Sequence, residues 1–279
     1  MSALSPKTTA RIADLESNKE IWIEEAQFGL KYISPHVAAL PPGAKVLEIG
    51  AGPCILISEL CARFEGLEFH AIEPVAPGFA RFDGFVDALE RDYDFHFFKG
   101  GYEDYPGQEK FDLIYLINTF EHIPDFRDLI RFVRDALTPE GRCVILCPNY
   151  GFPYESHFQV PILISPKVTR RLFSRRIETF EAEHNAEGLW DSLNFVKWPE
   201  VERACKVADI DVRFDPGITE ELIDRLDEDP EFTKRQGILA IPARAMKRTG
   251  LLNVLKKPAF YRFHPYMMLE LTLPEQPPA

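Results

Sequence analysis

The chain has 279 residues, 46% of them hydrophobic and 27% charged, with a net charge of −12. That composition suits a globular fold and excludes disorder, collagen and coiled coil as overall classes, while the acidic balance disfavours a nucleic-acid partner, which needs clustered cations. Five cysteines without Cys-x-x-Cys spacing, no signal-like N-terminus and no apolar run near the roughly 20 residues of a span point to a reduced, cytoplasmic protein with no stable membrane insertion.

Trp22, Ala26, Leu30 and Ile33 recur at helical spacing over residues 12–34, and Pro35 is expected to kink or end that helix. Residues 45–49 form a short apolar strand before glycines, followed by a helix over 55–64 and a strand over 67–73. Phe79, Phe82, Phe85, Val86 and Leu89 mark another helix, and strands follow over 94–98 and 111–117. A helix over 125–137 takes Asp125 as its N-cap, and Gly141 turns the chain into a strand over 142–148. Residues 151–197 look irregular, rich in proline, aromatic and basic side chains. A helix over 199–208, a strand over 210–214, interrupted helix over 219–257 and a last strand over 266–273 complete the chain.

Alternating strands and helices with apolar central strands imply a parallel sheet covered on both faces, with ligands at the carboxyl ends of its strands. The segment Val46-Leu47-Glu48-Ile49-Gly50-Ala51-Gly52-Pro53-Cys54 is such an end: a strand, a glycine turn and a helix start, whose free N–H groups face the turn. A dinucleotide fingerprint would need a third glycine where Ile55 stands, and no Walker lysine follows. Glu48 just before the turn favours a cationic ligand, and Glu73 ends the next strand, where a carboxylate can accept ribose hydroxyls. The same glycines could serve a tight turn alone, and Tyr102 could be a packing aromatic.

VLEIGAGPC, AIEP, YEDYP and FDLIYLINTFEHIPD, taken in order over about residues 45–149, resemble the motifs of class I S-adenosylmethionine-dependent methyltransferases. The resemblance implies an α/β fold: a Rossmann-like sheet of seven mostly parallel strands, the last antiparallel, with helical lid insertions. It implies S-adenosyl-L-methionine as donor and S-adenosyl-L-homocysteine as product. Glu48, Gly50 and Gly52 would surround the methionine part, Glu73 the ribose, Tyr102 and Glu103 the adenine, and Asn118 and Thr119 the sulfonium. Cys54 replaces a usual glycine, which implies a wider turn, and Gly101 replaces a usual acid, whose contact Glu103 would take over. The division expected is an N-terminal helical segment (1–40), a donor-binding core (41–150), and a remainder (151–279) that completes the sheet and carries the lid.

Methyl transfer needs an aligned nucleophile and a group to take its proton. His157, after the fifth strand, and His122, after the fourth, are the candidate catalytic residues; Asn149, Tyr150, Tyr154 and Glu155 are candidate substrate-binding residues, Tyr154 and Glu155 also orienting His157. Ubiquinone-pathway and small-RNA O-methyltransferases carry a Glu-x-x-Glu-His metal motif here; this chain has Asn118 in place of the first glutamate, so no metal is expected. The acceptor expected is a small molecule, methylated on oxygen, with polar or acidic character suggested by the basic runs around Arg175 and Lys256. A quinol or lipid-like acceptor at a membrane surface and a non-catalytic donor-binding module are the alternatives. The oligomeric state is left open.

Overall fold

The computed structural model describes residues 4–13, 19–74, 83–228, 232–233 and 240–275. Its sheet has seven strands: β1 (Lys45–Ile49), β2 (Glu68–Glu73), β3 (Phe95–Lys99), β4 (Phe111–Ile117), β5 (Leu137–Pro148), β8 (Asp211–Phe214) and β9 (Tyr266–Thr272), in the order β3-β2-β1-β4-β5-β9-β8. The five strands from β3 to β5 pair in parallel, and β9 runs antiparallel to both β5 and β8. The order reverses between β1 and β4, the switch point at the strands' carboxyl ends where the crevice of such sheets lies.

Two apolar layers cover the sheet. On one face α2 (Lys19–Ala38), α3 (Ile55–Arg63) and α4 (Asp83–Asp92) bury Leu30, Ile33, Ile57 and Leu89 against Val46, Leu113 and Val144. On the other, α5 (Phe126–Ala136) and α8 (Trp198–Ala208) bury Ile130, Val133 and Val201 against Leu47, Ile114 and Ile145. β1 is buried on both sides and therefore reads as a continuous apolar run, whereas β9 alternates between the two layers.

Several boundaries differ from the sequence expectation. A short helix α1 (Pro6–Ile12) precedes α2, and Pro35 lies inside α2, which continues to Ala38. The bond that proline forfeits falls in the last turns, and the buried Val37 beyond it keeps those turns on the core. Gly141 does not start the fifth strand, which begins at Leu137; the register with β4 breaks between Phe111 and Leu113, and a β-carbon at Gly141 would come within 2.6 Å of the Phe111 carbonyl. Asp125 caps α5 as expected, accepting from the Arg127 amide at 3.0 Å. Phe79, Phe82 and residues 229–231 and 234–239 of the interrupted helical stretch lie outside the described residues.

The stretch 151–197 is not irregular. It holds a hairpin of β6 (Tyr154–Glu155) and β7 (Val160–Pro161), then α6 (Pro166–His184) and the single turn α7 (Leu189–Ser192). These elements share a small core of their own, with Phe158, Val160, Ile177 and Trp190 buried together. Helices α9 (Gly217–Glu228), α10 (Ala240–Arg248) and α11 (Leu252–Leu255) precede β9. All five cysteines are free thiols, and no helix among the described residues is long and apolar enough to cross a membrane.

Candidate active site

The turn after β1 is built by glycine. Gly50 and Gly52 have φ of +75° and +51°, in the left-handed region. A β-carbon on Gly50 would lie 2.1 Å from Cγ2 of Thr119, whose hydroxyl donates to the Gly50 carbonyl at 3.2 Å or the Ile117 carbonyl at 3.1 Å. The turn and the loop after β4 are therefore in direct contact. Cys54 adopts φ +58° at the start of α3, a conformation that costs a side-chain-bearing residue roughly 1–2 kcal/mol.

Two carboxylates flank the turn in different ways. Glu73, at the end of β2, accepts the Gly52 amide at 2.8 Å and stays half-buried. Burial pushes its acid up to about 7, against the opposing pull of the Gly52 N–H. Glu48 is fully enclosed, accepts the Tyr115 hydroxyl at 3.0 Å, and is pushed by burial up to about 8. It supports the turn from beneath and is not open to the crevice.

Tyr102 and Glu103 form a 3-10 turn after β3. Tyr102 is buried against Phe132, its hydroxyl donating to the Asp125 carbonyl at 3.5 Å, whereas Glu103 is exposed. A β-carbon at Gly101 would meet Oε2 of Glu103 at 2.4 Å, so the Glu103 carboxylate folds over the position where the usual acid would project.

Asn118 turns the chain after β4 with φ +50°, and its Oδ1 accepts the Tyr266 hydroxyl at 2.5 Å. Tyr266 comes from β9, more than a hundred residues away, and no sequence pattern links the two. Beyond Asn118 the loop brings Glu121, His122 and His157 together, each offering one ligand or proton-accepting atom within 4.8 Å of the others. Glu121 is fully buried, and neither carboxylate oxygen has a hydrogen-bond partner among the described residues; burial pushes its acid up to about 8. Burial also depresses His122 to about 4, helped by His157. Burial would depress His157 as well, but the Glu155 carboxylate, 2.6 Å from Nδ1, outweighs it with help from Glu121 and Glu25 and raises the ring to about 9.

The stretch 151–197 anchors this pair. His122 Nδ1 lies 2.8 Å from the Ser192 hydroxyl, and Asn194 donates to the carbonyls of Phe120 and Ile123 at 2.8 and 2.9 Å. Glu155 also takes the amides of His157 and Phe158, at 3.2 and 2.8 Å, and the Tyr150 hydroxyl at 3.4 Å. Of the four expected substrate-binding residues, only the half-buried Tyr154 is open to solvent; Tyr150 and Glu155 are buried beneath His157. Asn149 is buried too, its side chain bonded to the carbonyls of Tyr261 and His264 and to the amides of Gly151 and Trp198.

A glycine turn closed by Thr119, a carboxylate at the end of β2 and an open switch point fit a nucleoside-bearing donor. The family described as a methyltransferase domain matches residues 21–191. The chain belongs to the class I S-adenosylmethionine-dependent methyltransferases. An uncharacterized protein of Mycobacterium tuberculosis is 34% identical over 217 residues, covering 76% of this methyltransferase and 73% of the relative. Among solved structures, the Haemonchus contortus phosphoethanolamine N-methyltransferase 2, complexed with S-adenosylhomocysteine, matches with a TM-score of 0.52 at 17% identity, covering 87% of this chain. This methyltransferase spans about half (52%) of that enzyme's length. The cyclopropane synthase CmaA1, complexed with S-adenosylhomocysteine, gives a TM-score of 0.51 at 12% identity, over 97% of this chain and 88% of its own. S-adenosylmethionine is the cofactor of the family. In this methyltransferase Gly50, Gly52 and Glu73 stand at the carboxyl ends of β1 and β2, with Thr119 packed against the glycine turn.

Proposed function

We propose that the protein transfers a methyl group from S-adenosylmethionine to an oxygen of a small polar or acidic molecule, with His157 taking the acceptor's proton. When bound, the donor supplies a methyl already activated by its sulfonium. The observation that carries the reading is the Glu155–His157 pair. A buried carboxylate holds Nδ1, fixing the proton there and leaving Nε2 as the accepting atom. The acceptor's O–H proton passes to Nε2 as its oxygen takes the methyl, and Glu155 stabilises the imidazolium that results. His122, neutral because burial depresses it, borders the same space at 5.7 Å between ring centroids. Glu73 holds the ribose hydroxyls, and Glu103 covers the adenine side. A cytoplasmic location belongs to the same reading. Incubation of the protein with isotopically labelled donor and a cell extract tests it: one small molecule gains label at oxygen and S-adenosylhomocysteine accumulates. Donor binding without any S-adenosylhomocysteine would identify a non-catalytic module instead.

A second reading has one observation in its favour, the partnerless carboxylate of Glu121 beside two histidines, a donor set that suits a divalent cation. Against it, the oxygen of Asn118 is engaged by Tyr266, so the loop offers no fourth ligand from that position. Turnover is expected to survive prolonged chelation; activity that collapses with EDTA and returns with a divalent metal would establish the second reading.

A further inference from the structure

A groove of about 650 Å³ lies between the β6–β7 hairpin and α6, with His157, Arg175, Arg176, Phe173, Phe180 and Glu183 among its walls. Its shape comes from a break in α6. Phe173 has φ −111° and ψ 18°, outside the helical range. Five consecutive residues cover more than one turn of a straight helix and would point all round it. The break lets residues 172–176 share one wall of the groove.

The wall has two kinds of surface. Phe173 and Phe180 are half-buried and apolar. The two arginines differ in their engagement. Arg176 donates from Nε to the Phe158 carbonyl at 2.8 Å and from Nη2 towards Gln159 Oε1 at 3.4 Å, which fixes its plane against the hairpin. Arg175 is exposed and has no hydrogen bond or ion pair among the described residues, whereas Arg170 on the same helix is paired with Asp191. Glu183 is the one carboxylate on the wall, so cations outnumber it.

We infer that this groove is the acceptor subsite for a phosphate-bearing molecule with an apolar body, its phosphate held by Arg175 and Arg176 and its body lying on Phe173 and Phe180. Guanidinium forks match phosphate oxygens in pairs, and a fixed Arg176 beside an adjustable Arg175 can close on an anion from two sides. The inference rests on the reading of His157 as the acceptor end of the site, because that residue is part of the groove's lining. Free phosphate esters and phospholipid headgroups present the same chemistry, and Ile164 and Leu172, exposed at 99% and 64% near the same helix, would suit the second source.

Calorimetry with 1-naphthyl phosphate and 1-naphthol separates the anionic contribution. The phosphate is expected to bind at least tenfold more tightly than the neutral alcohol, and Arg175→Glu to weaken it at least tenfold. Arg175 has no partner among the described residues, so its variants are expected to keep the unfolding midpoint and the S-adenosylhomocysteine affinity. In a second arm, sedimentation with phosphatidylglycerol or phosphatidylcholine vesicles is run on both proteins. Binding of naphthyl phosphate lost in Arg175→Glu supports the subsite with a soluble acceptor. Binding confined to phosphatidylglycerol vesicles and lost in the variant supports it with a lipid-borne phosphate. Equal binding of naphthyl phosphate and naphthol, or equal behaviour of wild type and variant in both arms, overturns it. Absence of S-adenosylhomocysteine binding in the wild type would remove the donor reading while leaving the groove result standing on its own.

Discussion

Glu73 accepts the amide proton of Gly52 at 2.8 Å, so the carboxylate at the end of β2 and the glycine turn after β1 are one hydrogen-bonded unit. The turn and the carboxylate are thereby held in place together.

Burial pushes Glu73 up to about 7. The ionised form is the better acceptor for ribose hydroxyls, so donor binding favours proton loss and affinity falls as pH drops through about 7. In the empty protein the sign is opposite for stability: the folded acid binds protons more readily than the ordinary value of 4.5 allows, so its contribution to stability diminishes as pH rises from there to about 7. Calorimetric titration of S-adenosylhomocysteine across this range is expected to show the affinity limb. Glu73→Ala is expected to weaken binding by tens of fold, about 2 kcal/mol, and Glu73→Gln to flatten the pH dependence.

Gly50→Ala is expected to weaken donor binding more than tenfold. The new β-carbon would sit 2.1 Å from Thr119 Cγ2, and its φ of +75° strains any residue but glycine. The turn must move away from the β4 loop to relieve both. Thr119→Ser keeps the hydroxyl and is expected to leave S-adenosylhomocysteine affinity within a few-fold, measured by the same titration.

The pH profile of turnover is expected to rise towards about 9. His157 must be neutral at Nε2 to take a proton, and the carboxylates of Glu155, Glu121 and Glu25 hold it charged against the opposing effect of burial. The acidic limb therefore lies well above an ordinary histidine's. His157→Ala should lower kcat about 10²–10⁴-fold and abolish the limb, with donor affinity retained. Glu155→Gln should move the limb to lower pH, because burial then dominates. A limb that stays in place in both variants assigns the titration to another group.

Asn149→Ala is expected to act on stability and not on acceptor affinity. Its side chain makes four hydrogen bonds, which tie the end of β5 to the segment before β9 and to the start of α8. Leaving those buried groups unpaired should cost about 2–4 kcal/mol, read as a lower urea midpoint. Unchanged stability with a raised KM would restore it as a substrate residue.

Much of the donor half was legible in the sequence, because its signals are local. β1 and β4 read as unbroken apolar runs since both faces of a parallel strand are covered, and Gly50, Gly52 and Glu73 stand at strand ends where a right-handed crossover leaves no other place for a ligand. Asp125 as a helix cap is equally local. The acceptor half was decided by tertiary contact. Pro35 inside a helix, β5 starting before Gly141 and the broken α6 in a stretch that looked irregular all depend on what the backbone packs against. So do the enclosure of Glu48 by Tyr115, the diversion of Asn149 to a structural joint, and the capture of Asn118 by Tyr266. Residue type named His122 and His157 as candidates. Their opposite shifts, one ring held neutral by burial and the other charged by Glu155, arise from electrostatics between side chains that only the folded chain brings within a few ångströms.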